Sequence, residues 1–232
     1  KIYYKQADAI VTISDICVKS LISYFPEYKD KIYCIENIVT ENTVDIFDDV
    51  VNFRNTNEIC LLTVGRVCFD KGLQYAVEAA KMLKDDNISF KWYWVGPGNE
   101  IEEHKQVVKK NQVEDVFIFL GPTVNPYTYI KQCDIAVYPS KFEGKSVVIE
   151  ETKIIHKPIV VTNFSTVKNQ IQNGKSGLIV ELSSKAVYEG VRKLIIDNHL
   201  KEIIVNYQTK FCNGNKHEIE KVYKLIDRGD FY

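Results

Sequence analysis

A chain of 232 residues, 45% hydrophobic and 26% charged, is long enough to bury a sizeable core and reads as one globular domain, or one domain with a fragment of another. Its 30 basic and 31 acidic residues leave a formal net charge of −1, which excludes a global field favouring nucleic acid and requires any anion site to be local. The cysteines Cys17, Cys34, Cys60, Cys68, Cys133 and Cys212 form no CxxC pair and have no histidines at zinc-finger spacing, which argues against a metal or disulfide framework and fits reduced thiols in a cytoplasmic protein.

The opening KIYYKQADAIVTIS lacks a signal peptide's apolar core and cleavage site, and it begins with lysine rather than methionine, so a fragment whose preceding part has been removed is expected. No apolar run approaches the roughly 20 residues that span a bilayer. ADAIVTIS predicts a strand, ICVKSLISYF a helix and KIYCIEN a second strand. A polar connection without a clear period follows over residues 40–57 and reads as a linker. From Glu58 onward short β-rich runs alternate with helical patterns: EICLLTV, LQYAVEAAKMLKD, FKWYWVG, IEEHKQVVKKN, VFIFLG, PYTYIKQC, DIAVYPS, a helix opening near Val147, and KPIVVT. This alternation predicts an α/β fold, a Rossmann-like parallel sheet with helices on both faces, and the nearly continuous apolar strands suit such a sheet. Helical segments are expected at 184–198, 200–209 and 217–226.

Ligands of parallel α/β sheets collect at the carboxyl ends of strands, where loops lead into helix N-termini. After ICLLTV comes GRVCFDKG, in which Arg66 and Lys71 bracket a turn. Two cations there suit a diphosphate, arginine as a fork and lysine as a point charge, and equally suit a pair of solvated loop cations. The VGPG turn, with Gly96, reads first as a means of turning tightly. LGP after VFIF offers main-chain groups of Leu120 and Gly121 to a flat ring edge. YPSKFEGKS places Glu143 and Gly144 in a loop, followed by a helix whose first amides, near Ser146, Val147 and Val148, form another anion site.

At 100° per residue that helix puts Val147, Val148, Glu151 and Ile155 on one face and turns Glu150 and Lys153 away. A carboxylate on an apolar face either meets a polar ligand or is satisfied by a salt bridge, unless the helix starts a residue or two elsewhere. Glu143 alternatively serves as a loop cap. Together the two acids would accept hydrogen bonds from the vicinal hydroxyls of a polyhydroxylated ligand.

The pairing of GRVCFDKG with EGKSVVIEE, an E-x7-E spacing from Glu143 to Glu151, accompanied in order by VGPG, DIAVYPS, HKPIVVT and NGKSGLIV, resembles the donor-binding domain of the retaining GT-B glycosyltransferases of family 4, glycosyltransferase group 1, over residues 59–180. The resemblance implies that Glu151 binds the ribose of a nucleotide sugar and that Glu143 approaches the transferred sugar. It also implies that Arg66 and Lys71 hold the diphosphate, and that Gly65, Gly96, Leu120, Gly121, Gly144, Ser146, Val147 and Val148 line the donor. No DxD triplet stands at a strand end, so no metal or other cofactor is expected. A UDP-sugar is favoured as donor and a glycan or lipid-linked molecule as acceptor. Lys145 departs from the usual aromatic residue, Ser146 from a glycine, and His156, expected to be a helix-end cap, from another glycine.

The same resemblance divides the chain into the end of an acceptor domain plus linker (1–50), a donor-binding domain (51–210), and a helix crossing back (211–232). The rest of the acceptor domain, and any peripheral membrane association through it, would lie in a removed part or in another chain. The expected activity is retaining, metal-independent sugar transfer, with this chain holding the donor site and inactive by itself. The alternatives are a non-catalytic donor-binding subunit of a split enzyme and a GT-B epimerase or phosphorylase.

Overall fold

The computed structural model describes residues 2–45, 51–54, 57–98 and 101–227. A short helix, α1 (Ile2–Gln6), precedes strand β1 (Ile10–Thr12), helix α2 (Asp15–Tyr24) and strand β2 (Ile32–Cys34). The two strands pair in parallel, Ile10 opposite Ile32, and Ser14 caps α2 by accepting from the Cys17 amide. Five residues are too few to show a helical period, which is why α1 was not expected.

The connection expected as a linker carries a short helix, α3 (Glu41–Asp45), and its stretch 51–54 lies against the following domain. Arg54 forks onto Asp134, Nη2 to Oδ2 at 2.9 Å and Nη1 to Oδ1 at 3.2 Å. Residues 46–50 and 55–56 of that connection lie outside the described residues.

The main sheet comprises β3 (Ile59–Val64), β4 (Phe90–Val95), β5 (Phe117–Gly121), β6 (Ile135–Tyr138), β7 (Ile159–Thr162) and β8 (Leu178–Val180). All pairs are parallel, in the order β5-β4-β3-β6-β7-β8. The helices are α4 (Leu73–Asp85), α5 (Ile101–Lys110), α6 (Tyr127–Gln132), α7 (Val147–Ile154), α8 (Ser184–Ile196), α9 (Asn198–Phe211) and α10 (Glu218–Ile226). Among the described residues no helix is long and apolar enough to cross a membrane.

Successive strand side chains point to opposite faces, so each strand feeds two cores. Leu61, Trp92, Trp94 and Val137 pack under α4 and α8, while Cys60, Leu62, Tyr93 and Ala136 pack under α6 and α7. Each large apolar side chain buried this way contributes about 1.5–3 kcal/mol. The indoles keep polar partners: Trp92 Nε1 donates to Thr63 Oγ1 at 3.0 Å and Trp94 Nε1 to the Gly65 carbonyl at 2.9 Å.

The chain builds outward from β3 to β5, then returns to lay β6 against the other side of β3. Loops leaving β3 and β6 therefore diverge, and the crevice between them is the topological switch point.

Helix α7 starts at Val147 as expected, but its faces differ from the expectation. Val147 is 37% exposed, whereas Lys153, expected to turn away, is only 7% exposed. The cause is Gln170, whose carbonyl accepts from Lys153 Nζ at 2.7 Å while Glu150 pairs with the same ammonium at 2.7 Å. Glu150, also expected on a free outer face, is therefore half-buried and engaged. The helix ends in a Schellman motif: the His156 amide donates to the Lys153 carbonyl at 3.0 Å and the Lys157 amide to that of Thr152 at 3.2 Å. His156 holds the left-handed position at φ 58°, which accounts for its reading as a helix-end cap.

Candidate functional site

Backbone contacts at the carboxyl ends of β3, β4 and β5 zip three turns together. The Gly65 amide donates to the Val95 carbonyl at 2.9 Å, the Gly96 amide to that of Gly121 at 2.9 Å, and the Val67 amide to that of Pro97 at 2.7 Å. Gly96 has φ 149°, and a Cβ on it would lie 2.0 Å from the Gly65 oxygen, so this position demands glycine. The VGPG turn is thus a close-packed joint, and one acceptor of Gly121 is already taken by Gly96. Leu120 is half-buried beside it.

A second zipper joins the two sides of the switch point. Gly72, at φ 79°, sits so near Pro139 that a Cβ would meet the Pro139 oxygen at 1.8 Å, and the Lys141 amide donates to the Asp70 carbonyl at 2.9 Å. This seating delivers Lys71 to Glu143, Nζ to Oε1 at 2.5 Å. Ser140 Oγ donates to the same oxygen at 2.9 Å, and Thr166 Oγ1 to the Glu143 carbonyl at 2.7 Å. Glu143 is therefore a fixed member of a charged pair as well as a loop residue. An ammonium has three donors, so Lys71 retains two for a ligand. Arg66 is exposed on the same rim and has no ion pair with any described residue.

Gly144 leads from Glu143 toward α7, facing Ile13 and Cys17 of the N-terminal segment. Ser146 is buried and bracketed by Gln170, which accepts from its amide and donates to its carbonyl, each at 2.9 Å. The Ser146 side chain makes no capping bond to α7, so the amides of Val147 and Val148 open the helix without one from the residue at its start.

One turn into α7, Glu151 is 9% exposed and accepts from the Tyr127 hydroxyl at 2.8 Å through Oε1. Burial raises the Glu151 carboxyl above the ordinary carboxylate range, and the Tyr127 bond pulls in the opposite direction without cancelling it. Tyr127 itself is held protonated by burial and by its bond to Glu151. Sequence reasoning missed Tyr127 because nothing in PYTYIKQC distinguishes it from an ordinary core aromatic. The Lys71 and Glu143 side chains meet, whereas Glu151 is engaged separately against α6. Among the described residues no group of three His, Cys, Asp or Glu side chains is placed to hold a metal ion.

Comparison with known proteins gives the arrangement a context. The family described as glycosyl transferases group 1 matches residues 45–211. An uncharacterized glycosyltransferase of Methanocaldococcus jannaschii is 26% identical over 235 residues, covering 93% of this chain and 60% of its own length. The capsular polysaccharide biosynthesis glycosyltransferase CapM of Staphylococcus aureus is 26% identical over 149 residues, covering 61% of this chain and 38% of its own. A Campylobacter jejuni 4-alpha-N-acetylgalactosaminyltransferase, named for a diphospho-undecaprenol substrate, is 25% identical over 209 residues, covering 88% and 55%. The chain thus spans between 38% and 60% of the length of these relatives. In shape it resembles a Rickettsia africae glycosyltransferase, with a TM-score of 0.82 at 18% identity over all of this chain and 67% of that one. It also resembles the Anabaena protein HepE, solved with UDP and glucose, with a TM-score of 0.84 at 14% identity over 97% and 64%.

Proposed function

Because the chain belongs to the group 1 glycosyl transferases, we propose that it carries the nucleotide-sugar site of a retaining glycosyltransferase that needs no metal ion. The observation that carries this reading is the Lys71–Glu143 pair, assembled from both sides of the switch point by the seating of Gly72 on Pro139. A diphosphate over this crevice would meet Arg66, the remaining Lys71 donors and the first amides of α7. The nucleoside would lie toward Leu120 and Gly121 with Glu151 accepting from its ribose, and the sugar toward Glu143 and Gly144. As the sugar–phosphate bond breaks, negative charge grows on the diphosphate. Donors preorganised against that charge are each worth on the order of 3 kcal/mol of barrier.

UDP is the favoured nucleotide, in line with the UDP held by HepE, and a lipid-linked glycan the favoured acceptor, in line with the name of the Campylobacter relative. The acceptor side is assigned to the portion of those relatives that this chain does not match, so the chain is proposed to bind donor but not to transfer it. Calorimetry with UDP-glucose and UDP-N-acetylhexosamines tests the reading. Arg66→Ala and Glu151→Ala should each weaken UDP binding by roughly 1.5–3 kcal/mol, the usual cost of losing a hydrogen bond to a charged group. Binding should survive a chelator and weaken in high salt, where charge pairs are screened. Strict dependence on a divalent cation, or wild-type affinity in both variants, would sink it.

A further inference from the structure

The residue that follows Gly144 reaches away from the crevice. Lys145 forms an ion pair with Glu36, just beyond β2, and its side chain is only 10% exposed. Glu36 is in turn fixed from the far end of the chain: its amide donates to Glu218 Oε2 at 2.9 Å, and its Oε2 accepts from Asn215 Nδ2 at 3.4 Å. Asn215 also accepts from the Val39 amide at 2.8 Å and donates to the Asn37 carbonyl at 3.0 Å. Glu36 thus lies where the outgoing and returning passages of the chain are bound to each other.

The four residues from Glu143 to Ser146 are consequently held by two different bodies. Thr166 and Gln170 of the main domain hold Glu143 and Ser146. The N-terminal segment meets the two residues between them: Ile13 and Cys17 stand 3.3 and 3.7 Å from where a Cβ on Gly144 would be, and Glu36 takes Lys145. Ser14, Asp15, Glu36, Lys145 and Asn169 line a polar cavity of about 310 Å³ along this seam. A lysine here links the loop carrying Glu143 to the junction of the two passages, a link that an aromatic side chain could not make by charge.

We propose that Lys145 is a positioning residue: through Glu36 it makes the placement of the Glu143–Gly144 loop, and hence the grip on the sugar moiety of the donor, depend on the seating of the N-terminal segment. The proposal rests on the nucleotide-sugar reading above and deepens it. Its signature is selectivity between ligands. Loss of the ion pair frees the loop that faces the sugar but leaves Arg66, Glu151 and the nucleoside turn in place.

The test is calorimetry on the full chain with UDP and UDP-glucose for Lys145→Gln, Glu36→Gln, and the exchanged pair Lys145→Glu with Glu36→Lys, with thermal melts confirming that each variant is folded. Each single variant should bind UDP-glucose roughly tenfold more weakly, the scale of coupling between contacting residues, while UDP affinity stays within about twofold. The exchanged pair should recover most of the loss. Equal losses for both ligands, no loss for either, or no recovery in a folded exchanged pair would overturn the proposal. If wild type binds neither ligand, the nucleotide-sugar reading itself fails. If wild type binds and Glu151→Ala weakens UDP while Lys145→Gln matches wild type, only the positioning role fails.

Discussion

Glu151 is buried enough to resist ionisation, whereas the ribose-binding role proposed for it calls for the ionised form, and the Tyr127 hydroxyl moderates the conflict by holding the carboxylate. Among the described residues the titratable groups that act on it are Tyr127 from α6 and Tyr138 from β6, the latter held protonated by burial, and neither is a cation. Removing the hydroxyl with Tyr127→Phe should raise the Glu151 carboxyl further, so that UDP affinity falls away at a higher pH than in wild type. Above that region, where Glu151 is ionised in both proteins, the two should bind UDP alike, and the lost hydrogen bond should appear as about 1 kcal/mol of fold stability. Superimposable pH profiles for the two proteins would show that the bond does not tune Glu151. For stability the sign is reversed. A carboxyl whose folded value is raised favours the fold in its neutral form, so its contribution is present below the ordinary carboxylate value and diminishes as pH rises through the folded one.

At the scale of elements, the opening of α7 is shaped by a residue outside it. Gln170 brackets Ser146, accepts Lys153 through its carbonyl and donates to Glu150 at 2.9 Å. Gln170→Ala should strand the Ser146 amide and carbonyl and cost about 1–3 kcal/mol, read as a lower denaturant midpoint at unchanged slope. UDP should bind more weakly too, because the helix start is no longer held, and an unchanged midpoint would show that Gln170 is dispensable to α7. The same dependence explains what was legible beforehand. The period of LQYAVEAAKMLKD marks α4 over its whole length, and the 100° spacing correctly puts Glu151 on a buried face. The burial of Lys153 could not be read, because its acceptor lies 17 residues away beyond β7. Glu36 and Lys145 were likewise unreadable as partners, since no local pattern relates residues of two separate segments. Turn glycines such as Gly72 and Gly96 were visible as turns but not as the close approaches that make their lack of a side chain necessary.

For the whole molecule, Glu218 fastens the start of α10 to the segment that follows β2. It is buried, pairs with Lys221 at 2.6 Å and holds the Glu36 amide. Burial works against its charge, but the Lys221 bond and the Glu36 amide prevail, and the carboxyl is held below its ordinary value. A depressed carboxyl stabilises above its unfolded value, about 4.3, and that stabilisation is lost as pH falls through the folded value. The Glu36 and Val39 amides should therefore exchange hydrogen faster as the pH is taken below about 4.3, relative to core amides of β3, once the intrinsic pH dependence is removed. Glu218→Gln should abolish that pH dependence. Retention of the wild-type dependence in Glu218→Gln would assign it to another group.

The joint between β3 and β6 is thin: two residues on each side are in register, against six between β3 and β4. If the strands β3 to β5 and β6 to β8 gain their own pairing first, their union, and with it the Lys71–Glu143 contact, comes late on the folding path. A diphosphate held by Arg66 on one side and by the start of α7 on the other would act as a kinetic staple across that joint. Interactions absent from the transition state slow unfolding without hastening folding. Saturating UDP should accordingly lower the unfolding limb of the chevron and leave the refolding limb where it was, so the occupancy of the crevice would govern how long the molecule lasts more than how fast it forms.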